Sequence, residues 1–144
     1  MEEKMIEVEL RTVIDRNGEK EMSIVKQPAE YMRKGSIEII TYTENRADIG
    51  DIRNYITIQD DKVTIKRSGA VSMNQQFEVG KRAESLYRHP YGSLHFNIKT
   101  RSLTIDRLHS TEAGEVIITY DALINGIEEQ FHHLTLTYTE ENVG

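Results

Sequence analysis

Apolar residues in this chain recur at every second position, in one short run after another. Ile6, Val8, Leu10, Thr12 and Ile14 share one face of the first run, while Glu7, Glu9 and Arg11 occupy the other. A period of two sets one face on a core and the other in water, which marks a β-strand rather than a helix. The pattern returns through Ile56 and Ile58, then Leu94, Phe96 and Ile98, then Val116, Ile118, Tyr120 and Ala122, and finally Leu134, Leu136 and Tyr138. No segment demands a long helix.

Turn residues separate these runs. Asn17-Gly18 and Asn125-Gly126 each predict a tight hairpin, because both positions tolerate positive φ. Asp60-Asp61 is a weaker two-residue turn, and Gly69 divides two neighbouring strand patterns within 62–92. Beyond it Val71, Met73, Gln75, Phe77 and Val79 fall in phase. Residues 82–89 read as a strand or a helical turn, and strand is favoured because His89 precedes Pro90 and so prefers extended geometry. Pro28 is expected to end the second strand, since it cannot donate into a ladder. Phe131 falls out of phase with Leu134 and Leu136, which predicts a bulge near His132 or His133. Residues 110–114 are expected to form a loop, and 140–144 a frayed tail.

Many short strands joined by local turns predict an all-β fold. A meander of eight to ten such strands is most simply closed as an antiparallel up-and-down barrel, which removes its edges. The 144 residues fit one domain spanning 1–144. A hydrophobic fraction of 38% against 29% charged residues suits elements with one wet face each.

Charge and composition exclude several functions. A net charge of −6, with the basic residues scattered, argues against nucleic-acid binding, which rests on clustered cations. There is no cysteine, hence no disulfide and no thiolate metal site, in keeping with a cytoplasmic setting. No apolar run approaches the ~20 residues of a membrane helix, and the opening MEEKMIEVEL lacks the apolar core of a secretion signal. His132 and His133 are adjacent and face opposite sides of a strand, so they cannot share a metal. No nucleophile elbow or phosphate-binding glycine loop is present, and neither a catalytic residue nor a cofactor is predicted.

Several segments carry a likeness: Arg67-Ser68-Gly69-Ala70-Val71, the stretch from Gln76-Phe77 to Gly80, Tyr91-Gly92, and the closing Leu134-Thr135-Leu136-Thr137-Tyr138. Together they resemble the YwiB-like family of small bacterial proteins, a group of unknown function in the calycin, or lipocalin-like, barrel superfamily. The resemblance implies a closed antiparallel barrel of about eight or more strands. It brings no accepted activity and no established site residues.

The candidate site residues therefore come from strand phase. Arg67 shares a face with Val63 and Ile65, and a guanidinium on a core face needs an acidic partner or an anionic ligand. Gln75 is in phase with Val71 and Phe77, which places an amide inside to orient a ligand or complete a network with Arg67. Tyr87, His89 and Tyr91 occupy alternate positions around Pro90, as a pocket lining or as a packed corner. Tyr120 stands on a long strand as part of the barrel wall. The functional expectation is a barrel binding a small ligand, an anion being one class it would take, in its interior or mouth. The alternative is a side-chain-filled barrel acting through its exterior. The chain would be a monomer or a homodimer in either case.

Overall fold

A computed structural model of the chain describes residues 2–107 and 113–140. They form ten antiparallel strands in a single sheet: β1 Glu2–Arg16, β2 Glu19–Lys34, β3 Ile37–Arg46, β4 Gly50–Ile58, β5 Val63–Gly69, β6 Met73–Phe77, β7 Arg82–His89, β8 Gly92–Asp106, β9 Ala113–Ile124 and β10 Glu128–Glu140. The order across the sheet is β6-β5-β4-β3-β2-β1-β10-β9-β8-β7, so the chain meanders and β1 joins β10. The sheet curls until β6 and β7 meet at one isolated bridge, Ser72 to Arg88. The result is an all-β, nearly closed up-and-down barrel.

The alternation in the sequence sets the barrel's inside. Ile6, Val8, Ile40, Ile56, Ile58, Ile118, Leu136 and Tyr138 are all buried. Both Asn-Gly turns form with positive φ at all four residues. Residues 82–89 are a strand, β7, as the proline argument favours. Gly69 is required where β5 turns away: its φ is +99°, and a Cβ there would lie 2.5 Å from the Asp51 carbonyl oxygen. The predicted loop at 110–114 and tail at 140–144 lie largely outside the described residues; Ala113, Gly114 and Glu140 belong to strands.

Three expectations are corrected. Pro28 does not end β2; it pairs with Glu7 of β1 inside one continuous strand. It is tolerated because β3 pairs with β2 only from Glu30 to Lys34, leaving β2 flanked on one side at Pro28. Beyond that ladder the Gln27 side-chain amide donates to the Thr43 carbonyl at 2.9 Å, bridging the gap. The bulge is not at His132 or His133, where β10 keeps perfect register; it lies in β8 between Thr100 and Ser102. Phe131 simply points outward, where the Arg101 guanidinium covers its ring. Val79 lies beyond β6 and is exposed.

Candidate functional site

The antiparallel path gives the barrel two unlike ends. One carries the β1–β2, β3–β4, β5–β6, β7–β8 and β9–β10 turns, and the other carries the rest. At the second end Glu38 is completely buried. Its carboxylate accepts from Tyr31 Oη at 2.6 Å, from Tyr138 Oη at 3.1 Å and from Arg107 Nη1 at 3.1 Å. Arg107 also donates to the Ser36 carbonyl and pairs with Asp60 at 2.7 Å. Burial and the Glu38 charge push both phenols well above their ordinary range. A carboxylate removed from water needs this many donors, and the cluster seals its end of the barrel.

The opposite end is open. A cavity of roughly 410 Å³ enters the barrel there, with Leu10, Val25, Met73, Phe77, Phe96 and Leu134 supplying apolar wall. Its polar corner is built by β3, β4 and β5. Arg67 Nη2 lies 3.3 Å from Glu44 Oε1, and Arg67 Nε donates to Asn54 Oδ1 at 3.2 Å. Asn54 Nδ2 in turn donates to Glu44 Oε1 at 2.9 Å. Strand phase explains the convergence: Asn54 pairs with Arg67 across β4–β5, and with Tyr42 across β4–β3. Glu44 is the next inward position after Tyr42. Arg46 stands further toward the rim, half-exposed and 3.5 Å from Asp48.

The opposite wall carries a second polar group. His132 stacks on Tyr120, with ring centroids 4.7 Å apart, and Tyr120 packs on Phe77 at 4.9 Å. His132 Nε2 lies 2.8 Å from Gln130 Oε1. An amide oxygen only accepts, so Nε2 carries the proton and Nδ1 is a bare acceptor. Nδ1 is buried and has no hydrogen-bond partner. Burial, aided by the positive charge of Arg16, lowers the imidazole pKa to about 4, so the ring is neutral at pH 7. Burial raises the Tyr120 phenol. On the other wall burial, assisted by Glu44, pushes Tyr42 up to about 12.

Of the residues singled out from the sequence, Arg67, Gln75, Tyr87 and Tyr120 all line this cavity. Arg67 and Gln75 do not form one network. Arg67 is held by Glu44 and Asn54, whereas Gln75 Oε1 accepts from Ser85 Oγ at 3.1 Å. His89 and Tyr91 do not line the cavity. His89 stacks on Tyr87 at 6.0 Å and its Nδ1 accepts from the Tyr91 backbone N–H, which makes the packed corner at the β7–β8 turn. Tyr91 itself is 79% exposed. Glu44 and Asn54 escaped the sequence reading, which weighed His132 only as a metal ligand and a bulge position, although each alternates in phase with a buried apolar neighbour on its own strand. Among the described residues no group of three or more His, Asp or Glu side chains is placed to hold a metal ion, and no helix is long and apolar enough to cross a membrane.

A ten-stranded meander, sealed at one end by an ionic cluster and open at the other, defines a small β-barrel protein. Its family follows from comparison with known proteins. The chain belongs to the family described as a domain of unknown function, DUF1934, whose model matches residues 8–136. It is 28% identical over 137 residues to the uncharacterized beta-barrel protein YwiB of Bacillus subtilis (strain 168), spanning 95% of this chain and 94% of that one. The crystal structure of the ywiB protein from Bacillus subtilis matches with a TM-score of 0.85 at 28% identity, over 97% of this chain and 94% of the other.

Proposed function

We propose that the protein is a binding barrel whose open end takes a small molecule with an apolar body and one hydrogen-bonding or anionic group. The observation that carries this reading is the division of labour in the cavity of roughly 410 Å³. Its walls are mainly aliphatic and aromatic, with polar side chains gathered at the Arg67–Asn54–Glu44 corner and at Gln75. Ligand sites are built in this way, with apolar bulk for affinity and few polar groups for orientation. Arg46 and Arg67 bring two guanidiniums there, and Arg46, half-exposed at the rim and only 3.5 Å from Asp48, keeps donors free for a negative ligand group. The neutral His132 ring forms part of the opposite wall. The likeness to calycin, lipocalin-like barrels agrees with a carrier role, and the cysteine-free composition agrees with the cytoplasm.

The test is native mass spectrometry of protein purified gently from cells, set beside a Thr12→Trp variant. Thr12 lines the cavity from β1, so an indole there would occupy the space. A stoichiometric added mass in the parent chain, absent from a variant of equal thermal stability, supports the reading. A bare parent chain, or an added mass that Thr12→Trp retains, overturns it.

One observation favours a second reading, action through the exterior. Met5 and Tyr55 are exposed on the outer face, and with Met32 and Ile39 they line a groove of roughly 390 Å³ across β1–β4. A doubled mass in solution that Tyr55→Lys returns to the monomer would favour this reading over the first.

A further inference from the structure

Where β6 and β7 face each other, the barrel wall has a window. Ser72 and Arg88 exchange backbone hydrogen bonds, Ser72 N–H to Arg88 O at 3.0 Å and Arg88 N–H to Ser72 O at 2.8 Å. Beyond this bridge β6 and β7 form no ladder, although the same antiparallel register would set Asn74 opposite Leu86 and Gln75 opposite Ser85. In an antiparallel pair, backbone groups point toward the neighbour at every second residue. The N–H and C=O groups of Asn74, Gln76, Glu84 and Leu86 therefore face the gap, with no partner strand to pair them. At the far side of the window the chain turns through Glu78–Lys81, and Gly80 and Lys81 bond to Thr100 of β8. An open groove of roughly 620 Å³ lies along it on the outer face.

The rim of this window is cationic in an acidic chain. Lys66, Arg67 and Arg82 line it against the single carboxylate of Glu84. Arg67 is committed to Glu44, and Glu84 lies toward His95 at 3.8 Å. Lys66 and Arg82 have no acidic partner within ion-pair distance among the described residues. The hydroxyls of Ser68 and Ser72 complete the lining, while that of Ser85 is spent on Gln75.

We propose that this window is a binding site for a compact oxyanion, held by Lys66 and Arg82, by the hydroxyls of Ser68 and Ser72 and by backbone N–H groups of β6 and β7 that face it. Converging charged and neutral donors with an unpaired positive balance are what such an anion requires. An extended peptide strand suits the gap less well, because the Ser72–Arg88 bridge and the Glu78–Lys81 turn close its two ends. The window shares Arg67 and Met73 with the mouth, but its own donors are Lys66 and Arg82, and it does not rest on a ligand being bound in the mouth.

The experiment is a titration of the full ¹⁵N-labelled chain with inorganic phosphate at constant ionic strength, with chloride as control. The expected result is saturable shifts in the amides of Asn74, Gln76, Glu84 and Leu86. In a Lys66→Gln/Arg82→Gln variant, affinity falls roughly tenfold or more while the Tm is unchanged, since both side chains are exposed. Shifts that grow linearly and equally with chloride overturn the proposal. So does undiminished binding in the double variant. Protection of the Asn74 and Leu86 amides from hydrogen exchange in phosphate-free buffer also overturns it, because it shows β6 and β7 zipping onto each other.

Discussion

Arg67 and Glu44 meet at 3.3 Å on one wall of the barrel mouth, and Asn54 touches both, closing a three-membered ring of hydrogen bonds. The two side chains are only 21% and 13% exposed, so neither charge is well solvated without the other. Arg67→Met would therefore leave Glu44 uncompensated and destabilise the barrel by about 1–3 kcal/mol in urea unfolding. Adding Glu44→Gln removes the stranded charge and should restore most of that loss. Strictly additive effects of the two changes would show that the pair is not coupled. For the same reason, loss of a ligand in Arg67→Met alone would not prove contact, and the Thr12→Trp variant separates contact from folding.

The sealed end makes a stronger demand. Glu38 is fully buried beneath three donors, so truncating it leaves two phenols and a guanidinium facing a void. Glu38→Ala should lower the unfolding free energy by about 3–5 kcal/mol, the usual range when one member of a buried charged cluster is removed. A urea midpoint that barely moves would mean the cluster closes the barrel end without holding the fold.

Local phase carried the sequence reading a long way, and register carried the rest. Alternation alone puts Arg67 and Gln75 inside, because facing is decided by near neighbours such as Ile65 and Phe77. The same signal runs through Glu38, Ile40, Tyr42 and Glu44, yet a carboxylate in phase with apolar residues looks like a wet position until its partners are known. Those partners lie far off in sequence: Glu44 meets Arg67 through β4, and Glu38 meets Tyr138 and Arg107 around the closed barrel. Such pairings depend on how the sheet curls. Pro28 was misleading for a related reason, since a missing donor matters only where a neighbouring strand asks for it. The window between β6 and β7 is likewise a property of closure, not of either strand's sequence.

His132 gives a pH dependence with a definite sign. Its folded pKa is lowered to about 4 from an ordinary value of 6.5, so the folded state favours the neutral ring. A base whose folded pKa is depressed contributes fully above the unfolded value. That contribution drains away as pH falls from about 6.5 to about 4, by on the order of 3 kcal/mol. Carboxylates also titrate in that window, so the measurement is a difference between the parent chain and His132→Gln, followed by thermal unfolding from pH 7.5 to 4. The parent should lose more stability on acidification than the variant. Parallel curves would mean that the ring is protonated without penalty in the folded barrel.

Gly114 is needed for space, not for an unusual backbone angle. It pairs with Tyr138 across β9–β10, and a Cβ built on it would fall within the Tyr138 ring. Tyr138 cannot swing aside freely, because its hydroxyl is fixed on Glu38 and its ring stacks with Tyr31 at 6.1 Å. Gly114→Ala must therefore either move the β9 backbone or pull Tyr138 off the carboxylate. Overpacking of this kind costs about 1–3 kcal/mol, and a lost hydrogen bond to a buried charge adds to it. Pairing it with Tyr138→Leu, which clears the ring, separates the two contributions. If steric conflict dominates, Gly114→Ala should cost far less in the Tyr138→Leu background than in the parent chain. If the cost is the same in both, the glycine serves β9 itself and not the aromatic ring above it.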